Sequence, residues 1–181
     1  MALRVFINPG HDRMIDPGAC GYGLEEADVV WDIGILLQKY LENAGIEVVD
    51  CFQDDDLGLV CESANAMEAD AFISIHCNAA ESRQAHGTET FCYGRGTKAE
   101  MLAGCIQEQI CNRFDDLTDR GVKTANFYVL RNTSMPAVLV ETAFITNELD
   151  ANKLRYCQED FARAIARGVT DYQLLLEANN E

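Results

Sequence analysis

Ala71-Phe-Ile-Ser-Ile75 runs straight into His76-Cys77-Asn78. A short, nearly unbroken apolar run of this kind reads as a buried strand. The pattern recurs on both sides. Arg4-Val-Phe-Ile-Asn8 is a second buried strand, stopped by Pro9-Gly10, and Ala137-Val-Leu-Val-Glu141 is the most strand-like run in the chain. Between them, the stretch from residue 26 places apolar side chains at 29, 30, 33, 36, 37, 40, 41 and 44, a helical period over 26–43 closed by Gly45. Gly45-Ile-Glu-Val-Val49 reads as a strand, Leu57 to Met67 as a shorter helix, and Lys98 to Arg113 and Tyr156 to Leu175 as further helices. Thr88-Glu-Thr-Phe-Cys-Tyr93 alternates like an edge strand, and Phe127 to Leu130 reads as extended. Strands interleaved with helices predict an α/β fold with a largely parallel sheet. With no repeat, low-complexity tract or linker, residues 1–181 are expected to form a single domain.

Composition agrees. Apolar residues make up 48% and charged residues 24%, as in a globular chain. Against 30 Asp and Glu stand only 14 Lys and Arg, a net charge of −16. That balance argues against nucleic-acid backbones and anionic membrane surfaces as partners, while suiting a metal ion. No apolar run approaches the ~18 residues of a membrane span. Eight cysteines occur without a C-x-x-C pair, so a zinc ribbon or thioredoxin-type site is not expected. In a chain of this size buried, reduced thiols are the simpler reading. Met1-Ala-Leu-Arg4 leads directly into the first strand, without the layout of a signal peptide.

Ligands of a parallel sheet bind at the carboxyl ends of its strands. Here those ends deliver Asn8-Pro-Gly-His11-Asp12, then His76-Cys77-Asn78, then Glu141-Thr142. Glu26 opens the first long helix and can swing over the same edge. Two of the chain's three histidines, with one or two glutamates, match a catalytic zinc shell: three protein ligands, with one position left for water. A further carboxylate, not bound to metal, would move the proton from water to the leaving nitrogen. H-E-x-x-H is absent, which excludes an ordinary zincin. A strand-end histidine taken alone is as well explained by an ordinary hydrogen bond.

Three blocks carry a resemblance. Asn8-Pro-Gly-His-Asp12 with Asp16-Pro-Gly-Ala19 and Gly23-Leu-Glu-Glu-Ala-Asp28, then Ala69 to Ala79, then Phe127-Tyr-Val-Leu-Arg131 through Met135 to Asn147, together resemble the zinc-dependent N-acetylmuramoyl-L-alanine amidases of the amidase-3 family. The resemblance implies a hydrolase that cuts the amide between the lactyl carbonyl of muramic acid and L-alanine in peptidoglycan. It implies one zinc held by His11, Glu26 and His76, with Glu26 rather than Glu25 in the ligand position, and Glu141 as general base and then acid. It also implies a mixed, mainly parallel sheet of about six strands flanked by helices, of the phosphorylase/hydrolase-like kind. The expected partners are peptidoglycan or muropeptides, bound by a monomer acting at the bacterial cell wall. The settings that suit such a chain are a phage-type endolysin, a trimmed secreted autolysin or an enzyme made in the cytoplasm.

Asp12 stands where the family carries Gly, and Asp tolerates a left-handed backbone there. Asn78 shares the side of its strand with His76 and is a candidate for orienting it. Arg120-Gly-Val-Lys123 precedes the extended stretch at 127; by resemblance Arg120 and Lys123 could line the peptide groove, and a solvated turn explains them as well. Asp16-Pro17-Gly18 reads as a turn and His86 as an exposed loop residue. Two other functions use much of the same sequence: a metallopeptidase acting within the stem peptide, and a non-catalytic peptidoglycan-binding module. A structural-zinc domain is disfavoured, since such sites close with four ligands, usually Cys or His.

Overall fold

The computed structural model describes residues 3–179. Met1 and Ala2, where the amino-terminal reading begins, and Asn180 and Glu181, the end of the expected domain, lie outside them.

Chain order is β1 (Arg4–Pro9), β2 (Cys20–Gly21), β3 (Leu24–Glu25), α1 (Glu26–Asn43), β4 (Glu47–Cys51), α2 (Leu57–Ala66), β5 (Ala71–Asn78), β6 (Thr88–Cys92), α3 (Lys98–Arg113), β7 (Asp119–Thr124), α4 (Tyr128–Asn132), β8 (Ala137–Phe144), α5 (Glu148–Tyr156) and α6 (Gln158–Ala178). Six strands form one sheet in the order β4-β1-β5-β8-β6-β7, and β2 and β3 form a separate hairpin. Every pairing in the large sheet is parallel except β6 with β8. The sheet is therefore mixed and mainly parallel, as expected.

Strand alternation divides the core. Val5, Ile7, Ile73, Ile75, Val138 and Val140 belong to the larger cluster, which packs on α1, α3 and α6. Phe6, Phe72, Ala137 and Leu139 face the other way and meet Val60, Cys61 and Ala64 of α2 and Val129 and Leu130 of α4. The second face is covered only over the early positions of its parallel strands. Toward their carboxyl ends the same face carries Asn8, Ser74, His76, Asn78 and Glu141, joined by Glu89 from the amino end of antiparallel β6, a row of polar residues where a core would otherwise continue. That change from apolar to polar along one face positions the site.

Three expectations are corrected. Thr88 to Cys92 is an interior strand between β8 and β7, and its alternation reflects two different covered faces. Phe127 to Leu130 is not extended: Phe127 caps the five-residue helix α4, which turns Val129 and Leu130 onto the sheet. Arg120 to Lys123 lies within β7, the true edge strand on this side. The helix expected over Tyr156 to Leu175 is α6, and α5 precedes it across Cys157 as a helix that the sequence reading does not include. All eight cysteines are unpaired, with Cys61, Cys77 and Cys92 buried.

Candidate active site

His11 follows β1 on a loop that must fold back over the sheet edge. Asp12 and Asp16 exchange backbone hydrogen bonds of 3.0 and 2.8 Å across this loop. The left-handed residue is His11 itself, at φ 64°, and not Asp12 as expected from its place after the histidine. Such a conformation costs a β-carbon-bearing residue about 1–2 kcal/mol and persists only where its surroundings impose it. Part of what holds it is Asp16, whose Oδ2 lies 2.6 Å from His11 Nδ1. The Asp-Pro-Gly segment read as a plain turn thus also orients a histidine. An acid five residues after His11, inside a closed loop, was the available signal.

Glu26 arrives by a different route. The β2–β3 hairpin turns through Tyr22 and Gly23, both at positive φ, which is the two-residue geometry that suits strand twist. It hands the chain to α1, where Glu26 N–H and Ala27 N–H bond Ala19 and Pro17 carbonyls at 2.9 and 3.0 Å. Gln53 joins these segments by donating to the carbonyls of Gly10 and Ala27 at 3.0 and 2.9 Å. Glu26 is buried, whereas Glu25 is exposed.

The first helix, the first loop and β5 bring His11, Glu26 and His76 together. Glu26 Oε2 lies 3.1 Å from His11 Nε2, and Oε1 lies 3.0 Å from His76 Nδ1. The same two oxygens accept the N–H groups of Ala19 and Cys77 at 2.8 and 2.9 Å. One donor atom from each residue falls within 4.8 Å of the others, so this cluster can hold a metal ion. The neighbourhood leaves no slack: a β-carbon at Gly10 would stand 2.2 Å from His76 Cε1, and one at Gly18 would stand 2.6 Å from His11 Cδ2.

Charge in the cluster follows from these contacts. Hydrogen bonding to Glu26, and next to Asp16, raises His11 to about 9 against the desolvation of its ring. Burial pushes Glu26 upward, but His11 and His76 outweigh it and hold the carboxyl far below its ordinary range. Two imidazole nitrogens and one carboxylate oxygen form the mixed donor set that zinc accepts in sites with three protein ligands. The donor chemistry fits that ion.

Glu141 lies one strand away. In β8 it is the register partner of His76 in β5 on one side and of Glu89 in β6 on the other. Thr142 donates to the His76 carbonyl at 2.9 Å and Thr88 to the Glu141 carbonyl at 3.1 Å, fixing both backbones. Glu141 Oε2 is buried without a hydrogen-bond partner, alone among the side-chain oxygens and nitrogens of the described residues. Burial raises this carboxyl to about 7, His76 draws it down, and Glu26 and Glu89 push it up again. Native proteins rarely leave such a group unsatisfied away from a functional site.

Asn78 does share the side of His76, but its amide donates to Glu89 Oε1 at 2.6 Å and its Oδ1 accepts from Ala79 N–H, so neither hydrogen bond goes to a histidine. Arg120 and Lys123 both pair with Glu89 Oε2, Arg120 Nε at 3.2 Å. His86 is exposed, its Nδ1 2.8 Å from the Gln84 carbonyl. Glu89 itself escaped the sequence reading. Its role comes only from antiparallel pairing with Glu141, and nothing local to Thr88-Glu-Thr announces it.

Two histidines and a buried glutamate at the carboxyl edge of a mainly parallel sheet, with an unpartnered carboxylate on the next strand, define an α/β protein with a three-residue cluster that could hold a metal ion. Residues 5–171 match the Amidase_3 family, N-acetylmuramoyl-L-alanine amidase, and the chain belongs to that family. It is 39% identical over 175 residues to the N-acetylmuramoyl-L-alanine amidase LytC of Bacillus subtilis (strain 168), covering 93% of this chain and 35% of that protein. Identity is 36% over 172 residues with the sporulation-specific N-acetylmuramoyl-L-alanine amidase of the same strain, covering 92% and 65% respectively. The chain spans about a third of the first of these relatives and just under two thirds of the second. Among solved structures, the N-acetylmuramoyl-L-alanine amidase from Clostridium difficile 630 superposes with a TM-score of 0.89 at 33% identity, covering 95% of this chain and 97% of that one. AmiC2 of Nostoc punctiforme gives 0.87 at 36% identity with the same coverage.

Proposed function

We propose that this chain is a single catalytic domain that hydrolyses the amide between the lactyl group of N-acetylmuramic acid and L-alanine in peptidoglycan. The observation that carries the reading is Glu141 Oε2, buried and unpartnered one strand from the His11–Glu26–His76 cluster. His11, Glu26 and His76 would hold one zinc ion, whose chemistry when bound is to polarise the scissile carbonyl and acidify water. Glu141 takes the proton released as water attacks and gives it to the leaving alanine nitrogen. A proton affinity near neutrality suits both halves of that task, because the group must accept and then donate under the same conditions. Asp16 keeps His11 oriented with Nε2 toward Glu26, and Glu26 ties the His76 segment through Cys77 N–H.

The family membership supports peptidoglycan as substrate, and the acidic chain accords with that rather than with nucleic acid. No helix among the described residues is long and apolar enough to cross a membrane. We place the action of the chain at the bacterial cell wall, as a monomer. The test is digestion of purified peptidoglycan by the zinc-loaded chain, followed by mass analysis of the released muropeptides. Free amino-terminal L-alanine on intact stem peptides is the expected product. Cleavage inside the stem would make the chain a metallopeptidase instead, and binding without cleavage would make it a wall-binding module.

A further inference from the structure

Glu89 holds a group of charges that the proposed reaction does not use. Its side chain is only 6% exposed, yet Oε2 meets both Arg120 and Lys123, whose side chains are 34% and 40% exposed. The other oxygen is taken by Asn78. Burial raises the Glu89 carboxyl, but Lys123 and Arg120 outweigh it and hold it ionised. Every other Lys or Arg ion pair among the described residues sets one cation against one carboxylate. Here two cations share one, leaving a surplus positive charge beside the site in a chain of net charge −16. Arg120 is further fixed, with its guanidinium 4.9 Å from the Phe144 ring centroid and Nη1 3.4 Å from the His86 carbonyl. Both cations keep hydrogen-bond donors beyond those that these contacts use.

Strand order gives this charge a direction. β5, β8, β6 and β7 are successive neighbours, so His76, Glu141, Glu89 and Lys123 lie in that sequence across one face. The acid that protonates the leaving nitrogen must stand beside it, so with Glu141 in that role the amine side of the substrate leaves over β6 and β7. Neighbouring strands are about 4.8 Å apart, which puts the Glu89 position about 5 Å and the β7 backbone about 10 Å from Glu141. Two extended residues span about 7 Å. The second residue beyond the scissile nitrogen therefore falls at the Arg120–Lys123 pair.

We infer that Arg120 and Lys123, held in place by Glu89, form a carboxylate-recognition site that selects peptides with a free carboxylate on the second residue after the scissile nitrogen. In peptidoglycan stems that residue is a γ-linked D-glutamate, whose α-carboxylate is free in some walls and amidated in others. The inference rests on the amidase reading and adds a choice between those two substrates. An amide cannot replace the carboxylate at a cationic site, because it loses the charge and half of the acceptor capacity.

The test compares kcat/KM of the zinc-loaded chain on N-acetylmuramoyl-L-alanyl-D-isoglutamate and on the D-isoglutamine counterpart. The expected preference for the carboxylate form is roughly ten- to hundredfold, the scale of a hydrogen bond to a charged group, and it shrinks as salt is raised. Lys123→Met should bring the two rates together, and Lys123→Arg should keep the preference. Should Lys123→Met not fold, Arg120→Met and the salt series on the unaltered chain test the same point. Equal rates on the two substrates, or a preference that survives Lys123→Met, would overturn the inference while leaving the amidase reading intact. Hydrolysis of neither substrate would overturn the amidase reading, and the inference with it.

Discussion

His76 and Glu141 are register partners on adjacent parallel strands, so the proposed ligand and the proposed base stand side by side on one rigid sheet. Their separation is set by backbone hydrogen bonding between β5 and β8 and not by any loop. Thr142 adds a side-chain bond to the His76 carbonyl. Both roles can therefore be tested separately by substitution without moving the other residue.

Glu141→Gln removes the proton acceptor and preserves the shape. The variant should bind zinc like the unaltered chain, while turnover of muropeptides falls about 10²- to 10⁴-fold, the usual contribution of a general acid–base group. Metal content by atomic absorption and turnover on the same preparation check this. Loss of the metal with normal turnover on added zinc would make Glu141 a ligand and move the base elsewhere.

Asp16→Asn tests the orienting contact. The amide can still accept a hydrogen bond from His11 Nδ1, but it cannot hold the ring electrostatically. Partners that orient metal-bound histidines typically contribute 10- to 100-fold to metal affinity. Zinc affinity measured against a competing chelator should fall within that range, and an unchanged affinity would show that the 2.6 Å contact does not serve the site.

Much of this arrangement is legible in the chain, and the misreadings have physical causes. β1, β5 and β8 announce themselves because buried parallel strands begin as apolar runs on both faces, and those runs stop visibly shortly before His11, His76 and Glu141. The helix at 98–113 is legible to its ends because Thr97 caps it through the Glu100 N–H. β7 is hard to read because Asp119-Arg-Gly-Val-Lys-Thr124 is an edge strand whose mostly polar residues are exposed or only half-buried. α4 looks extended in the sequence because a four-residue apolar run has no measurable period and its β-branched and aromatic residues favour strands. Asp16 and Glu89 gain their roles through contacts that only the folded chain creates, by loop closure in one case and antiparallel register in the other.

Gly10→Ala should damage the site without touching a proposed ligand. The added carbon would lie 2.2, 2.5 and 2.7 Å from three atoms of the His76 ring, which must then move. His76 cannot keep its Nδ1 contact with Glu26 in a displaced position. Zinc affinity should fall at least tenfold with secondary structure retained, as judged by competition titration and circular dichroism. Affinity equal to that of the unaltered chain would mean that the ring has room the structure does not show.

The metal-free protein should become less stable as pH rises from about 4.5 to 9. Two groups act in the same direction there. Glu141 is raised by burial from 4.5 to about 7, so its contribution is fully present below 4.5 and is lost as pH rises through 7. His11 is raised from 6.5 to about 9 by Glu26 and Asp16, so its contribution is fully present below 6.5 and is lost as pH rises through 9. The Glu141 part is on the order of 3 kcal/mol, and Glu141→Gln should remove it and flatten the lower half of the decline. Asp16→Asn should make the upper half shallower without removing it, because Glu26 remains the larger partner of His11. Zinc reverses the trend, since a ligating imidazole must first lose its proton and binding therefore strengthens with pH. Thermal unfolding from pH 4.5 to 9, with and without zinc, reads all of these at once. A metal-free Tm that climbs across that range, or that falls equally in Glu141→Gln, would show that the buried carboxylate is not the strained group in this fold.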